Sequence, residues 1–340
     1  KDLIIKGDIE SQGDFQCHYG TVKLTGADQS LKMNSGNFFN NLTFNQTGTA
    51  IIHSSSQPFE VKGNISIESG VFKMYNRVMS VGGHWNNTAG INGFNKGTGR
   101  VIFNGTEHQY INCSENFYTL EVNKGAALRV DNVNHTVTCN KYEWKKGSID
   151  VIKGTFTALD LVNNGIYGSY YVNPNAIINL HQDASGSIGL YGKLTFTNGG
   201  TINIYGGSGT SYWSSNGDAN IKMNGGVLDF KDHGINIYNT TTYSFTQEIT
   251  GGTIRANGDF KCYRSNFTPT GLTLELTGNK NAQLNMTAGV LHNLIINKPS
   301  NIPMVLMSNI IINGNLNINS GTFKLNPGTI LKSNNINLAN

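Results

Sequence analysis

Three stretches of this chain repeat one another, and no single copy is long enough to bury a core of its own. The first runs from Gly20-Thr21-Val22-Lys23-Leu24-Thr25-Gly26 through Leu31-Lys32-Met33-Asn34 to Phe38-Phe39-Asn40-Asn41-Leu42-Thr43-Phe44-Asn45. The second runs from Gly99-Arg100-Val101-Ile102-Phe103-Asn104-Gly105 through Tyr110-Ile111-Asn112-Cys113 to Phe117-Tyr118-Thr119-Leu120-Glu121-Val122-Asn123-Lys124. The third starts at Gly271-Leu272, passes Leu284-Asn285-Met286 and ends at Leu291-His292-Asn293-Leu294-Ile295-Ile296-Asn297-Lys298. Phe38 and Phe117 are 79 residues apart, roughly three coils at the 20–30 residues per coil of repeat folds. Units that recur in this way bury their apolar faces by stacking on their neighbours.

The local pattern names the element that stacks. Apolar and polar residues alternate in short runs such as Val22-Leu24, Ile65-Ile67, Val101-Phe103, Ile202-Ile204 and Leu316-Ile318. A period of two is the signature of a strand with one face buried. Gly, Asn or Ser closes nearly every run, as turn residues that accept sharp corners do. Sustained helical spacing is absent. Between the second and third copies the sequence diverges, but Gly199-Gly200-Thr201-Ile202, Gly225-Gly226-Val227-Leu228 and Gly251-Gly252-Thr253-Ile254 keep the corner-then-strand pattern.

These features predict an all-β chain, a right-handed parallel β-helix (a single-stranded β-solenoid) of roughly 12–15 coils. They predict one continuous domain over residues 1–340, with repeats at about 13–77, 83–152 and 258–326 and divergent Gly/Tyr-rich coils at about 153–257. Like residues should pile above one another at about 4.8 Å as aliphatic, aromatic and Asn ladders. Phe15, Trp85 and Phe260 share a repeat slot, which predicts an inward aromatic there. A hydrophobic content of 38% suits a narrow core.

Here the residues resemble a known group. The phrase Phe-Tyr/Phe-x-Leu-x-x-Asn-Lys and the Gly251–Cys262 stretch are similar to repeat-rich secreted and surface proteins of Bacteroidota-type bacteria. The resemblance implies a β-helical, adhesin-like module at the cell surface or outside the cell.

Chemistry is harder to find. The net charge of +4 is modest and scattered, without the basic stripe that nucleic acid requires. No apolar run approaches the roughly 20 residues of a membrane span. Zinc spacings, nucleophile elbows and phosphate loops in the right context are missing, so no metal, cofactor or catalytic residue is assigned. Asp229-Phe230-Lys231-Asp232-His233 is the densest polar group, but strand alternation points its two aspartates apart. Aromatics concentrate between Tyr167 and Trp213. Among them Tyr170, Tyr171, Tyr191, Tyr205, Tyr212 and Trp213 are candidates for stacking on sugar rings, with Gly209–Gly217 as a projecting loop. The alternative is that these rings stack between coils.

Of the four cysteines, Cys113 occupies the slot of Met33 and Met286, and Cys139 falls about one coil later. Stacked coils would bring the two within disulfide range, so Cys113–Cys139 is either a bridge or a pair of buried thiols. Three functions remain open. The first is a noncatalytic structural or adhesin-like module of the cell surface or exterior, either a spacer or an adhesin, with glycans as its candidate ligand. The second is a filament subunit that associates end to end. The third is a polysaccharide lyase or hydrolase.

Overall fold

The structure, a computed structural model, describes residues 1–162, 165–182, 188–206, 211–213 and 216–339. Two compact units divide it, Lys1–Val162 and Asn163–Asn340. Each is a parallel β-solenoid, and together they make about 15 turns. Among the described residues there is no α-helix; a single 3-10 turn lies at Ile91–Gly93.

In the first unit, register pairs Leu3 with Val22, Val22 with Leu42, Leu42 with Ile65 and Ile65 with Trp85. A second ladder carries Phe39, Val61, Val81, Phe103 and Val122. All of these except Leu3, in the outermost strand, are fully buried. Aromatics pile in the same way: Phe44 and Phe72 stack at 4.1 Å and 19°. Trp85 fills the expected inward slot, and Phe15, its counterpart in the first repeat, is half-buried against Phe39 at 5.3 Å.

The second unit has three faces of parallel strands, two of them within one continuous sheet. One carries Tyr170, Leu194 and Ile221 in a core column, and another carries Ile178, Ile202, Leu228, Ile254, Leu274, Leu294 and Leu316. The third pairs Ile166 with Leu190, Leu190 with Trp213, Trp213 with Ile237, Ile237 with Cys262 and Cys262 with Met286. Phe260 is wholly buried in this sheet. The Gly-Gly corners turn as the sequence suggests: the second glycine of each pair has φ +81°, +81° and +92° at Gly200, Gly226 and Gly252, a region closed to most side chains.

Outward asparagines link coil to coil. Asn203 Nδ2 donates to Asn179 Oδ1, Asn224 Nδ2 to Asn198 Oδ1, and Asn337 Nδ2 to Asn317 Oδ1, at 2.7–2.8 Å. At the inner corners the polar groups are buried. Gln29 donates to the carbonyls of Ile5 and Gly7 and accepts from Gly26 N–H. Gln109 makes the same three bonds with Val81, Gly83 and Gly105. Two lysines do related work. Lys298, 0% exposed, donates to the carbonyls of Thr277 and Lys280 at 2.7 and 2.8 Å. Lys124 donates to those of Glu107 and Ala127. These are the lysines that end the repeated Asn-Lys phrase.

Candidate functional site

The strands that carry the sequence-nominated aromatics send them to different places. Tyr170 and Tyr171 are neighbours on Ser169–Val172 and therefore face opposite ways. Tyr170 is core, and Tyr171 is half-exposed with the Lys193 ammonium 5.8 Å from its ring centre. The same parity buries Trp213, which stacks on Phe245 at 5.8 Å, and turns Tyr212 outward. Tyr205 is outward on another sheet, stacked on His181 at 4.2 Å and 6°. Tyr170 and Trp213 are thus excluded as ligand-stacking rings, because each is buried in the unit's own core. Four residues of the Gly209–Gly217 segment lie outside the described residues.

One sheet of the second unit gathers tyrosines instead. Its outer side carries Tyr167, Tyr191, Tyr212, Tyr238 and Tyr263, one from each of five successive coils. Tyr167 and Tyr191 lie at 5.1 Å, and Tyr212 and Tyr238 at 5.3 Å. Tyr263 is 37% exposed and the other four are half-buried. Burial, together with Tyr212 and Tyr263 alongside, pushes the Tyr238 phenol up from its ordinary pKa, so it stays a neutral donor at neutral pH.

Glycine sets the pose of these rings. Gly165 and Gly189 pair with one another on the outward side of this sheet, yet both are buried. The ring of Tyr191 covers Gly189: a Cβ there would stand 2.0 Å from its Cε2 and Cζ. At Gly165 a Cβ would meet Tyr167 Cε2 at 2.7 Å and Tyr191 Cδ2 at 3.0 Å. An aromatic laid over a glycine in a sheet lies flat on the backbone. The Tyr191 ring therefore lies over the Gly189 backbone, tilted 41° from the ring of Tyr167. Three of the five tyrosines were not nominated from sequence. A usable signal was present: Gly165-Ile166-Tyr167 recurs one coil later as Gly189-Leu190-Tyr191.

Polar groups beside the strip are largely satisfied. Lys261 Nζ and Asp259 Oδ2 pair at 2.6 Å. Arg264 is buried and donates to the carbonyls of Tyr238 and Tyr243. Asn236, in register between Tyr212 and Lys261, has a side-chain oxygen with no donor.

Other clusters are structural. An open hollow of about 430 Å³ on a different sheet is lined by Asp229, Lys231, Arg255 and Glu275, whose charges pair with one another at 2.6–3.0 Å. Asp232 is separate from Asp229 and accepts from the Gly206 N–H. Ser211 Oγ and His233 Nε2 share a 2.5 Å hydrogen bond, a nucleophile–base distance. Both residues, however, are inward at 0% and 2% exposure, where no substrate reaches them. In the first unit Glu115 is fully buried; Trp85 Nε1 and Asn87 Nδ2 each donate to its Oε2 at 2.9 Å. Among the described residues no group of three or more His, Cys, Asp or Glu side chains could hold a metal ion. No helix among them is long and apolar enough to cross a membrane.

The Cys113–Cys139 bridge is not formed; all four cysteines are free thiols. Register is the reason. Ser114 Oγ accepts from the Thr136 N–H and donates to the Asn134 carbonyl, so Cys113 falls short of Cys139 in the next coil. Burial pushes the Cys113 and Cys262 thiols up to about 12 and raises Cys139 further. A native-state titration with a thiol reagent at pH 8 is therefore expected to label Cys17 alone, and rapid labelling of any other would contradict this burial.

Comparison with models of known protein families, with characterised proteins and with solved structures finds no match in any of the three.

Proposed function

We propose that this chain is a noncatalytic, glycan-binding β-solenoid module of a cell-surface or secreted protein, and that the tyrosine strip of the second unit is its binding face. The observation that carries the reading is the pair of outward glycines covered by tyrosine rings. A bare glycine in a strand forfeits packing. Its use in two successive coils under rings makes sense if the placement of the rings over the backbone is what is needed. Pyranose rings stack their C–H faces on such surfaces, and tyrosine offers both an apolar face and a polar tip. The weakly charged, amide-rich exterior suits a surface module of the adhesin type.

The test is a glycan array probed with the full chain, followed by variants. Gly189→Ala is the informative one. Its backbone lies outside the strained region, and its added methyl meets the mobile end of Tyr191 rather than backbone. The fold is retained while the ring is lifted. Binding is expected to fall about tenfold for Gly189→Ala and for Tyr191→Ala alike, the scale of one aromatic contact. Tyr205→Ala, on another sheet, is expected to bind as the parent does. A parent chain that retains no glycan, or a Gly189→Ala variant that binds unchanged, removes the proposal.

A further inference from the structure

The strip's spacing and charge point to a class of glycan, an inference that rests on the glycan-binding reading above. We infer that the ligand is a neutral, unbranched, extended chain of β-1,4-linked, equatorially substituted sugars, lying along the stacking direction of the second unit with one sugar per coil.

Spacing is the first argument. Successive coils of a parallel stack advance by about 4.8 Å, and the Tyr167–Tyr191 pair, at 5.1 Å, follows that step; Tyr212, in register with Gly189 and Asn236, meets Tyr238 diagonally at 5.3 Å. An extended β-1,4-linked pyranose chain advances by nearly the same distance per sugar and stays straight. It therefore keeps step with the five coils, passing Tyr167, Tyr191, Tyr238 and Tyr263 in one column with Tyr212 set beside them, about 19 Å between the first and last rung. An α-1,4-linked chain curls and leaves the strip after one or two sugars. Substituents that stand equatorially leave the C–H faces of each sugar clear for the flat rings; axial hydroxyls would hold them off.

Charge is the second argument. Uronate or sulfate groups would call for an unpaired cation beside the rings. Among the described residues flanking the strip, Lys261 is paired with Asp259 and Arg264 is turned inward onto carbonyls. What the strip presents instead is the tyrosine phenols. These groups suit sugar hydroxyls. Tyr238, raised above its ordinary pKa, adds no negative charge at neutral pH.

Calorimetric titration of the full chain decides the matter. The ligands are β-1,4-linked oligosaccharides of glucose, xylose and N-acetylglucosamine from one to seven sugars, with α-1,4-linked glucose and β-1,4-linked uronate series alongside. At least one neutral β-1,4 series is expected to gain affinity with each added sugar up to about five and then level off. The α-linked and uronate series are expected to bind at least tenfold more weakly. Tyr263→Ala, which removes the last rung, is expected to move the plateau from about five sugars to about four, a change that general loss of stability does not produce. Suppose glycans bind and Gly189→Ala weakens them, yet affinity ignores length or the α-linked or uronate series binds as tightly. The extended-chain inference then fails while the glycan-binding reading stands. Absence of binding by every series overturns both.

Discussion

Acidification from pH 6.5 to pH 4 is expected to remove about 3 kcal/mol of stability from the second unit, through His233. Its imidazole is buried beside Ser211 and packs its edge on Phe230 at 5.6 Å. Burial, the dominant cause, pulls its pKa from 6.5 to about 4; Lys280 acts in the same direction and Asp232 against it. The unfolded chain takes up a proton as pH falls below 6.5, while the folded ring stays neutral until about 4. The stabilisation is thus complete above pH 6.5 and lost toward pH 4. His181, whose pKa is also lowered by burial, adds to the same trend. Glu115 gives the first unit the opposite response. Burial raises its carboxyl to about 7 against the bonds from Asn87, Trp85 and Asn116. Its protonated form fits the core, so that unit gains stability as pH falls from 7 toward 4.5. Peptide-resolved hydrogen exchange at pH 7.5 and 4.5 separates the two units. Protection is expected to fall in coils around His233 and rise around Glu115. A His233→Gln variant with the parent's acid response would show that another group is responsible.

Replacing Lys298 by Met is expected to cost about 2–4 kcal/mol, and Lys124→Met a similar amount. The methylene stems of both residues are already inside, so Met keeps most of the packing. What is lost is the donor: the carbonyls of Thr277 and Lys280, or of Glu107 and Ala127, lose their ammonium partner and remain in place because backbone cannot be deleted. Desolvation lowers both ammonium pKa values to about 8, so each charge is held at some expense even in the parent. Urea unfolding at pH 7 provides the measurement. A variant as stable as the parent would mean that the amine contributes nothing net and that the corner tolerates bare carbonyls.

These lysines mark where sequence reading stopped. The repeated Asn-Lys phrase was visible, but its meaning was not, because the carbonyls that accept from Lys298 belong to the preceding coil. By contrast, the ladders were legible, since alternation and a fixed repeat determine which residues stack: Leu42 on Val22, Leu294 on Leu274. Tyr170 and Trp213 were nominated as surface rings although each has an aromatic neighbour in the strand, and parity alone requires one of every such pair to point inward. Tyr238 and Tyr263 escaped notice because they follow ordinary strands. Their place beside Tyr212 depends on coil lengths that a single sequence does not mark. The bridge between Cys113 and Cys139 failed for the same reason, a few residues of register.

The asparagine pairs have a consequence of their own. In the column that runs from Asn179 to Asn337, Asp229, Arg255 and Glu275 join the middle layers by charge, but where Asn203 meets Asn179 and Asn337 meets Asn317 one layer presents nearly the same amide edge as the next. A gene segment encoding a whole layer can be duplicated or excised there, and the flanking layers find partners they already know. Length then becomes a trait that recombination adjusts in whole steps, and each step adds or removes one rung of whatever the outer side displays.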